Sequence, residues 1–508
     1  MSWLIGLFMM TILALIHAEL GAAYPVAGGT ARYPYYAFGS LAGFIAGWTT
    51  FLQAIAIAPI EVTASIDYVN AFTAAQWHFN MIAADGGLNA AGYVVAAVLM
   101  LIFCVINLVG AKFLSESNTG LVIWKTAVPL LTVVLLMMLS FNPGNFVAGG
   151  GFLTMGWHGV FSALPIGVVF ALQGFEQATQ MAGEAENPQR DVAKAIILAM
   201  AIGGAIYLLL EVAFIGALKP ENLLHDWSNP LGLSGDDALQ AKYGPYYSIF
   251  MSLGLVWMAV VIVIDAIISP FGTGLIYIGT TARISYALGL PRAMTAVSGR
   301  GVPWIAVLVA SVIGYLILLP RGQGWQQQVS VVTGATAFMY AFAPISLRVL
   351  NVIDPKRPHP YRAPLPGVLL PFGFACGSLL IYWGGWDATW KIILCLLFGA
   401  VLYAIAGFGF RSKAVDTSNV RWTSAIWMSV WLGGLALLSF LGNFGDSDSV
   451  PMNPRHYLPA DWDSLIVLVF AIAVFYLAIS MPQPAEKAIA AIEADLNSSE
   501  ISGVSMHH

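Results

Sequence analysis

Charge is what this sequence has least of. Of its 508 residues only 9% are Asp, Glu, Lys or Arg, 59% are hydrophobic, and the mean hydropathy is +0.79. An ordinary soluble chain is about 25% charged. With so little charge a water-exposed surface would aggregate, whereas lipid tolerates an apolar surface as well as an apolar core, so the composition implies a polytopic membrane protein. Dense basic stretches are also missing and the net charge is -5, which excludes a phosphate backbone, and with it nucleic acid, as partner. Cysteine is scarce: Cys104, Cys376 and Cys395 sit in apolar segments without CxxC or His/Cys spacing, and they read as small buried residues. That excludes a disulfide framework and a metal site, and no cofactor is implied. No nucleophile motif, phosphate loop or metal cluster stands in a connecting segment, so an enzyme is not expected.

What the chain does have is long apolar runs. Crossing a hydrocarbon core of about 30 Å takes about 20 apolar residues, and thirteen runs qualify: 2–23, 36–58, 91–111, 119–141, 162–182, 193–218, 247–282, 303–320, 329–350, 366–386, 389–410, 422–443 and 463–481. The longest connection, 219–246, has no pattern of a soluble domain, so function is expected among the helices. The tail 482–508 contains PAEKAIAAIEADL, a short amphipathic candidate that reads as a solvated terminus. Lys and Arg collect in cytoplasmic connections. Of the 21 basic residues, fifteen fall on one set of alternate connections and five on the other, with Lys125 inside a span. The majority set contains Arg32, Arg348, Lys356, Arg357, Arg362 and Lys487, so a cytoplasmic C-terminus is expected. The same count sets Met1 outside. MSWLIGLFMM lacks the basic region and cleavage site of a signal peptide, so a further upstream span is expected, for fourteen in all.

Polar side chains enter these runs in a few places. In FALQGFEQATQMAGEAENPQRDVAKAI, 170–196, a helix would align Gln173, Glu176, Gln180 and Glu184 along one stripe facing protein or water. Gly174, with Gly167 before it, weakens that helix. Carbonyls unwound in mid-membrane survive where they line a cavity, and there they can hold an ammonium group; a kinked helix with a paired glutamate is the other reading. In the seventh run Asp265, Ser269, Thr273 and Tyr277 recur every four residues across Pro270. Asp265 is a functional candidate or a partner for backbone groups freed by the proline. In FLQAIAIAPIEVTASIDYVN, Gln53 lies deep, while Glu61 and Asp67 read as an external vestibule or a solvated helix end. Lys125 either snorkels to the cytoplasm or stands as a cation inside the bundle. His17 and Glu19 read as interfacial.

Several of these stretches resemble the amino acid-polyamine-organocation (APC) permeases. AELGAAYPVAGGTARYPYYAFG (18–39) is similar to the end of that family's second helix and the loop after it. GFEQATQMAGEAENPQRDVAKAI is similar to its sixth helix and the following loop, with ENPQRD the most specific part. TTARISYALGLPRAMT and PHPYRAP are similar to the connections after its eighth and tenth helices. The resemblance runs through residues 2–410. It implies an all-α, leucine-transporter-type five-plus-five inverted repeat with the family's first helix missing. Residues 1–141 would be an incomplete first repeat, 162–350 the second with a broken helix near 170–176, and 366–481 four further C-terminal helices. By the same resemblance Phe170 is an aromatic gate, and Ala171, Leu172, Gln173 and Gly174 line the substrate together with Gln53 and Ala54. Glu176 matches a glutamate of pH-dependent transport, and Lys125 a lysine that replaces an ion in proton-coupled members. With Asp265, these two form the expected proton-coupling set. Two spans beyond twelve, together with DAIISPFGTG and SFLGNFG, resemble the aspartate-proton symporter branch.

The implied activity is secondary, proton-coupled amino acid uptake by alternating access, with exchange without proton coupling and non-transporting sensing as alternatives. Expected partners are an amino acid, protons and the bilayer. Since the resemblance assigns the substrate carboxylate to the first helix, the chain as written is expected to transport poorly. Uptake assays with and without an added in-frame upstream span check this, and equal uptake refutes it.

Overall fold

The computed structural model describes residues 1–505 apart from 110, 152, 186, 224–226, 228, 234–242, 288–302, 320–324, 406, 408–418, 446–455 and 461. Among the described residues every regular element is helical, save one isolated bridge between Ile82 and Leu88. In chain order the helices are α1 (Ser2–Ala23), α2 (Gly29–Phe38), α3 (Ser40–Trp77), α4 (Ala90–Val109), α5 (Ala111–Leu139), α6 (Gly156–Ala163), α7 (Val169–Leu172), α8 (Gln177–Gln180), α9 (Pro188–Ala217), α10 (Pro245–Ser252), α11 (Val256–Ala287), α12 (Trp304–Ile317), α13 (Trp325–Ile353), α14 (Pro366–Trp383), α15 (Gly385–Ala404), α16 (Trp422–Leu441), α17 (Asp463–Ile479) and α18 (Ala485–Ser505). Among the described residues, ten helices are long and apolar enough to cross a membrane, and three shorter apolar ones are Gly156–Leu172, Trp304–Ile317 and Asp463–Ile479. The protein is an all-α polytopic membrane protein.

The helix starts follow local chemistry. α9 opens on Pro188, which needs no amide partner, and carries Asp191 in its first turn, where a carboxylate meets the positive end of the helix dipole. The ENPQRD stretch is this start, although Glu186 lies outside the described residues. α10 and α14 likewise open on Pro245 and Pro366.

Three expected spans differ from the helices found. The run 36–58 begins only at Ser40, and its helix continues through Glu61 and Asp67 to Trp77. Thirty-eight residues at 1.5 Å each make about 57 Å, beyond the hydrocarbon thickness. The run 247–282 is two helices, because Gly254 adopts φ +74 and ends α10 before α11 starts. The run 162–182 is broken at the site described below.

Packing is centred on α13, whose apolar span is 89% buried, and on α3, which lies along α11. α16 is keyed into this centre by Trp427 and Trp431, fully enclosed beside Phe338, Phe342 and Phe374; the Trp431 indole also donates to Ser378 Oγ at 3.0 Å. Between apolar helices in lipid, such interlocking stabilises through van der Waals contact and buried hydrogen bonds.

The tail is not a solvated terminus as far as it is described. α18 lies on α2 with Ala488 and Ile492 fully enclosed. Tyr36 Oη donates to Asp495 Oδ2 at 2.6 Å, Arg32 approaches the same carboxylate at 3.5 Å, and Gln483 Nε2 donates to Tyr35 O at 3.0 Å. Ala488 and Ile492 of PAEKAIAAIEADL thus cover a protein surface. Cys104 and Cys376 are buried as expected, but Cys395 is exposed on the outer face of α15.

Candidate functional site

The chain leaves the helix where glycine permits it. A π-helical turn at Leu164–Val168, with Pro165 at its start, precedes α7, which ends after one turn. Gln173 is extended (φ -79, ψ 168), and Gly174 takes φ +111, a conformation that a side chain would strain. α8 then restarts the helix. The expected stripe therefore does not lie on one helix: Gln173 precedes the reversal and Gln180 follows it, and the Glu184 side chain lies outside the described residues.

The two sides of the break use their backbone differently. After it, the carbonyls of Gly174, Phe175 and Glu176 accept from the amides of Gln177, Ala178 and Thr179 at 3.1, 3.2 and 2.9 Å. Before it, the carbonyls of Ala171, Leu172 and Gln173 accept no hydrogen bond among the described residues. Buried amide oxygens without a partner stand on Gln173 and on Gln53 of α3. Unused acceptors held away from lipid are expensive unless a donor meets them, and the donor that suits several at once is an ammonium group.

Glu176 is the hub of the break and is fully enclosed. Its Oε2 accepts from Gly174 N–H at 2.9 Å and from Tyr340 Oη of α13. Its Oε1 accepts from Gln53 Nε2 at 3.3 Å, Gln177 Nε2 at 3.2 Å and Tyr277 Oη of α11 at 3.5 Å. Five donors, from α3, α8, α11, α13 and the break itself, converge on one carboxylate. Tyr340 also stacks on Phe175 at 4.8 Å, and the His17 ring of α1 meets both edge-on at 5.2 and 5.4 Å. His17 is buried, with Nδ1 2.8 Å from Leu13 O, and Glu19 is buried as well; neither is interfacial as expected.

A second cluster lies along the same two helices. Lys125 Nζ of α5 donates to Thr273 Oγ1 at 2.8 Å. Glu61 and Asp265 are near enough to act on that ammonium, and Asp265 Oδ1 accepts from Ser269 at 2.8 Å. Glu61 is only 9% exposed, so the reading of it as a solvated helix end is overturned: α3 continues past it and α11 covers it. Gln53 and Glu61 are eight residues apart on α3, about 12 Å, while Tyr277 and Thr273 are one turn apart on α11. Both clusters thus draw on α3 and α11.

The remaining expected residues divide. Phe170 is half-buried and meets Trp325 edge-on at 6.1 Å, closing the break toward the start of α13. Leu172 is packed in the core beside Gly6, and Ala54 is enclosed among Phe51, Ile55 and Tyr277; both shape the wall rather than present polar groups. A cavity of about 640 Å³ is elsewhere, between the ends of α13, α14 and α17. Much of TTARISYALGLPRAMT falls at 288–302, outside the described residues.

Comparison with known proteins places this architecture. The family described as "Amino acid permease" matches residues 1–386. The chain is 31% identical over 487 residues to the glutamate/serine transporter AimA of Bacillus subtilis, covering 94% of this chain and 86% of that one. It is 29% identical over 489 residues to the aspartate-proton symporter of the same organism, covering 94% and 88%. A more distant relative is the aromatic amino acid transport protein AroP of Escherichia coli strain K12, 25% identical over 376 residues, covering 70% and 74%. A broken helix rich in unused acceptors, a bundle built for lipid and these matches lead to one conclusion: the chain belongs to the amino acid permease family, multi-pass membrane proteins of amino acid transport.

Proposed function

We propose that the chain takes up an acidic amino acid together with a proton, by alternating access around the break at 173–176. The observation that carries this is the set of unpartnered acceptors before Gly174, which suits the α-ammonium of an amino acid. In this reading residues 1–141 and 162–350 act as two related halves, with 366–481 added to them and 482–508 on the cytoplasmic side with most of the basic residues. Ala171, Leu172, Gln173 and Gly174 bound the substrate with Phe170, Gln53 and Ala54. Glu176 couples the break to α3, α11 and α13, and Lys125 with Asp265 and Glu61 forms the proton-responsive cluster. Two relatives are named for glutamate/serine and for aspartate with a proton, which makes those amino acids the first substrates to try.

The test is uptake of radiolabelled aspartate, glutamate and serine into vesicles containing the chain, alone and with an added in-frame upstream span. Accumulation is expected to rise several-fold when the outside is made acid and to be competed by unlabelled acidic amino acids. Accumulation indifferent to the gradient, but stimulated by internal amino acid, would establish exchange instead. Saturable binding without counterflow would establish a sensor.

A further inference from the structure

A cavity of about 640 Å³ lies away from the break. It is bounded by the last turns of α13, the 354–365 connection, the first turn of α14 and the last turn of α17. Its volume of about 640 Å³ falls in the ordinary range of small-molecule sites, roughly 300–1,000 Å³. Two guanidinium groups, Arg348 and Arg362, line it, and both side chains belong to exposed residues without an acidic partner among those described. The acid in the wall, Glu19, is already engaged: Oε2 accepts from Ala363 N–H at 2.8 Å and Oε1 lies 2.8 Å from His359 Nδ1. Asp354 is likewise taken by Arg357 Nε at 2.7 Å. α14 begins on the wall with Pro366 and Gly367, directing the positive end of an eighteen-residue helix at the space. The lining also carries apolar side chains, Leu370 of α14 and Phe475 and Ile479 of α17, and Tyr476 in the lining is 55% exposed.

We infer that this cavity binds an anionic phospholipid of the cytoplasmic leaflet, its phosphate between Arg348 and Arg362 and its acyl chains along α14 and α17. A guanidinium fork matches phosphate geometry. A soluble anion would have no use for the apolar side chains of the lining, whereas a lipid satisfies both the arginines and these side chains. The tyrosine at the rim fits the headgroup level, and basic pockets between helices on the cytoplasmic side hold anionic headgroups. The position is consistent with the charge distribution of the sequence, in which Arg348, Lys356, Arg357 and Arg362 all belong to the cytoplasmic set. The inference rests on membrane residence and orientation, not on transport, so it stands or falls apart from the uptake assay.

Native mass spectrometry of the detergent-purified full chain, titrated with phosphatidylglycerol, tests it. One tightly retained phosphatidylglycerol is expected, with phosphatidylcholine held at least tenfold more weakly. Removing charge in R348Q/R362Q is expected to weaken retention about 25-fold, at about fivefold for each guanidinium. K356Q, which alters the same connection outside the cavity, should change it less than twofold. Equal retention of phosphatidylcholine, equal weakening by K356Q, or displacement by inorganic phosphate at equal concentration would each overturn the proposal, the last by marking a soluble-anion site. If R348Q/R362Q melts earlier than the parent chain in lipid-free detergent, R348K/R362K decides: retention within tenfold of the parent supports the site, and loss to the phosphatidylcholine level overturns it.

Discussion

Replacing Glu176 with alanine should destabilise the chain by about 3–5 kcal/mol and abolish uptake, because removing the shared acceptor of a buried hydrogen-bond network leaves its donors unpaired. The donors that would be stranded are Gly174 N–H, the hydroxyls of Tyr340 and Tyr277 and the amides of Gln53 and Gln177. The loss is read as a melting temperature several degrees lower in detergent, alongside uptake in vesicles. Glu176→Gln keeps the shape but turns one acceptor into a donor facing other donors. It should melt closer to the parent and still fail to transport. Tyr340→Phe, which deletes one donor and keeps the ring on Phe175, should fall between. A Glu176→Ala chain with unchanged melting and normal uptake would show that the carboxylate organises nothing.

Lys125→Met is expected to lower gradient-driven accumulation at least tenfold while leaving counterflow largely intact. The substitution keeps much of the stem's packing but removes the cation that Glu61 and Asp265 face and the donor that Thr273 receives. Two carboxylates inside a bundle without a counter-charge are unfavourable together, so the cluster should hold one fixed protonation pattern rather than exchange a proton with each cycle. Comparing uptake across an imposed pH gradient with exchange at equal pH separates coupling from binding. Parent-level accumulation in Lys125→Met would dismiss the cluster from coupling. A gel-filtration profile matching the parent guards against simple misfolding.

Much of this site could be read in the chain itself. Gly174 beside glutamine and glutamate, inside an otherwise apolar run, marks a place where a helix pays for polar groups in lipid, and the structure breaks the helix there. Lys125 and Asp265 were visible for the same reason, as charges where lipid would penalise them. Reading Glu61 from its distance along a standard span failed, because α3 is about twice as long as a span needs to be. His17 and Glu19 sit near the end of an apolar run, where a helix end and a covered site have the same pattern. The docking of α18 was likewise hidden, since a short amphipathic helix carries no sign of which surface it will cover.

Composition alone determined that this chain lives in lipid as a helical bundle, because local hydrophobicity over about 20 residues is sufficient to decide that. Local backbone chemistry determined where the fifth run breaks, since the freedom of Gly174 is a property of a single residue. Only the tertiary structure decided that Glu176 receives Tyr277 and Tyr340, 101 and 164 residues away, that Lys125 meets α11 at Thr273, and that α13, α14 and α17 leave a basic cavity. The physical reason is that helical periodicity defines which residues share a face, whereas which faces meet depends on the packing of the whole bundle.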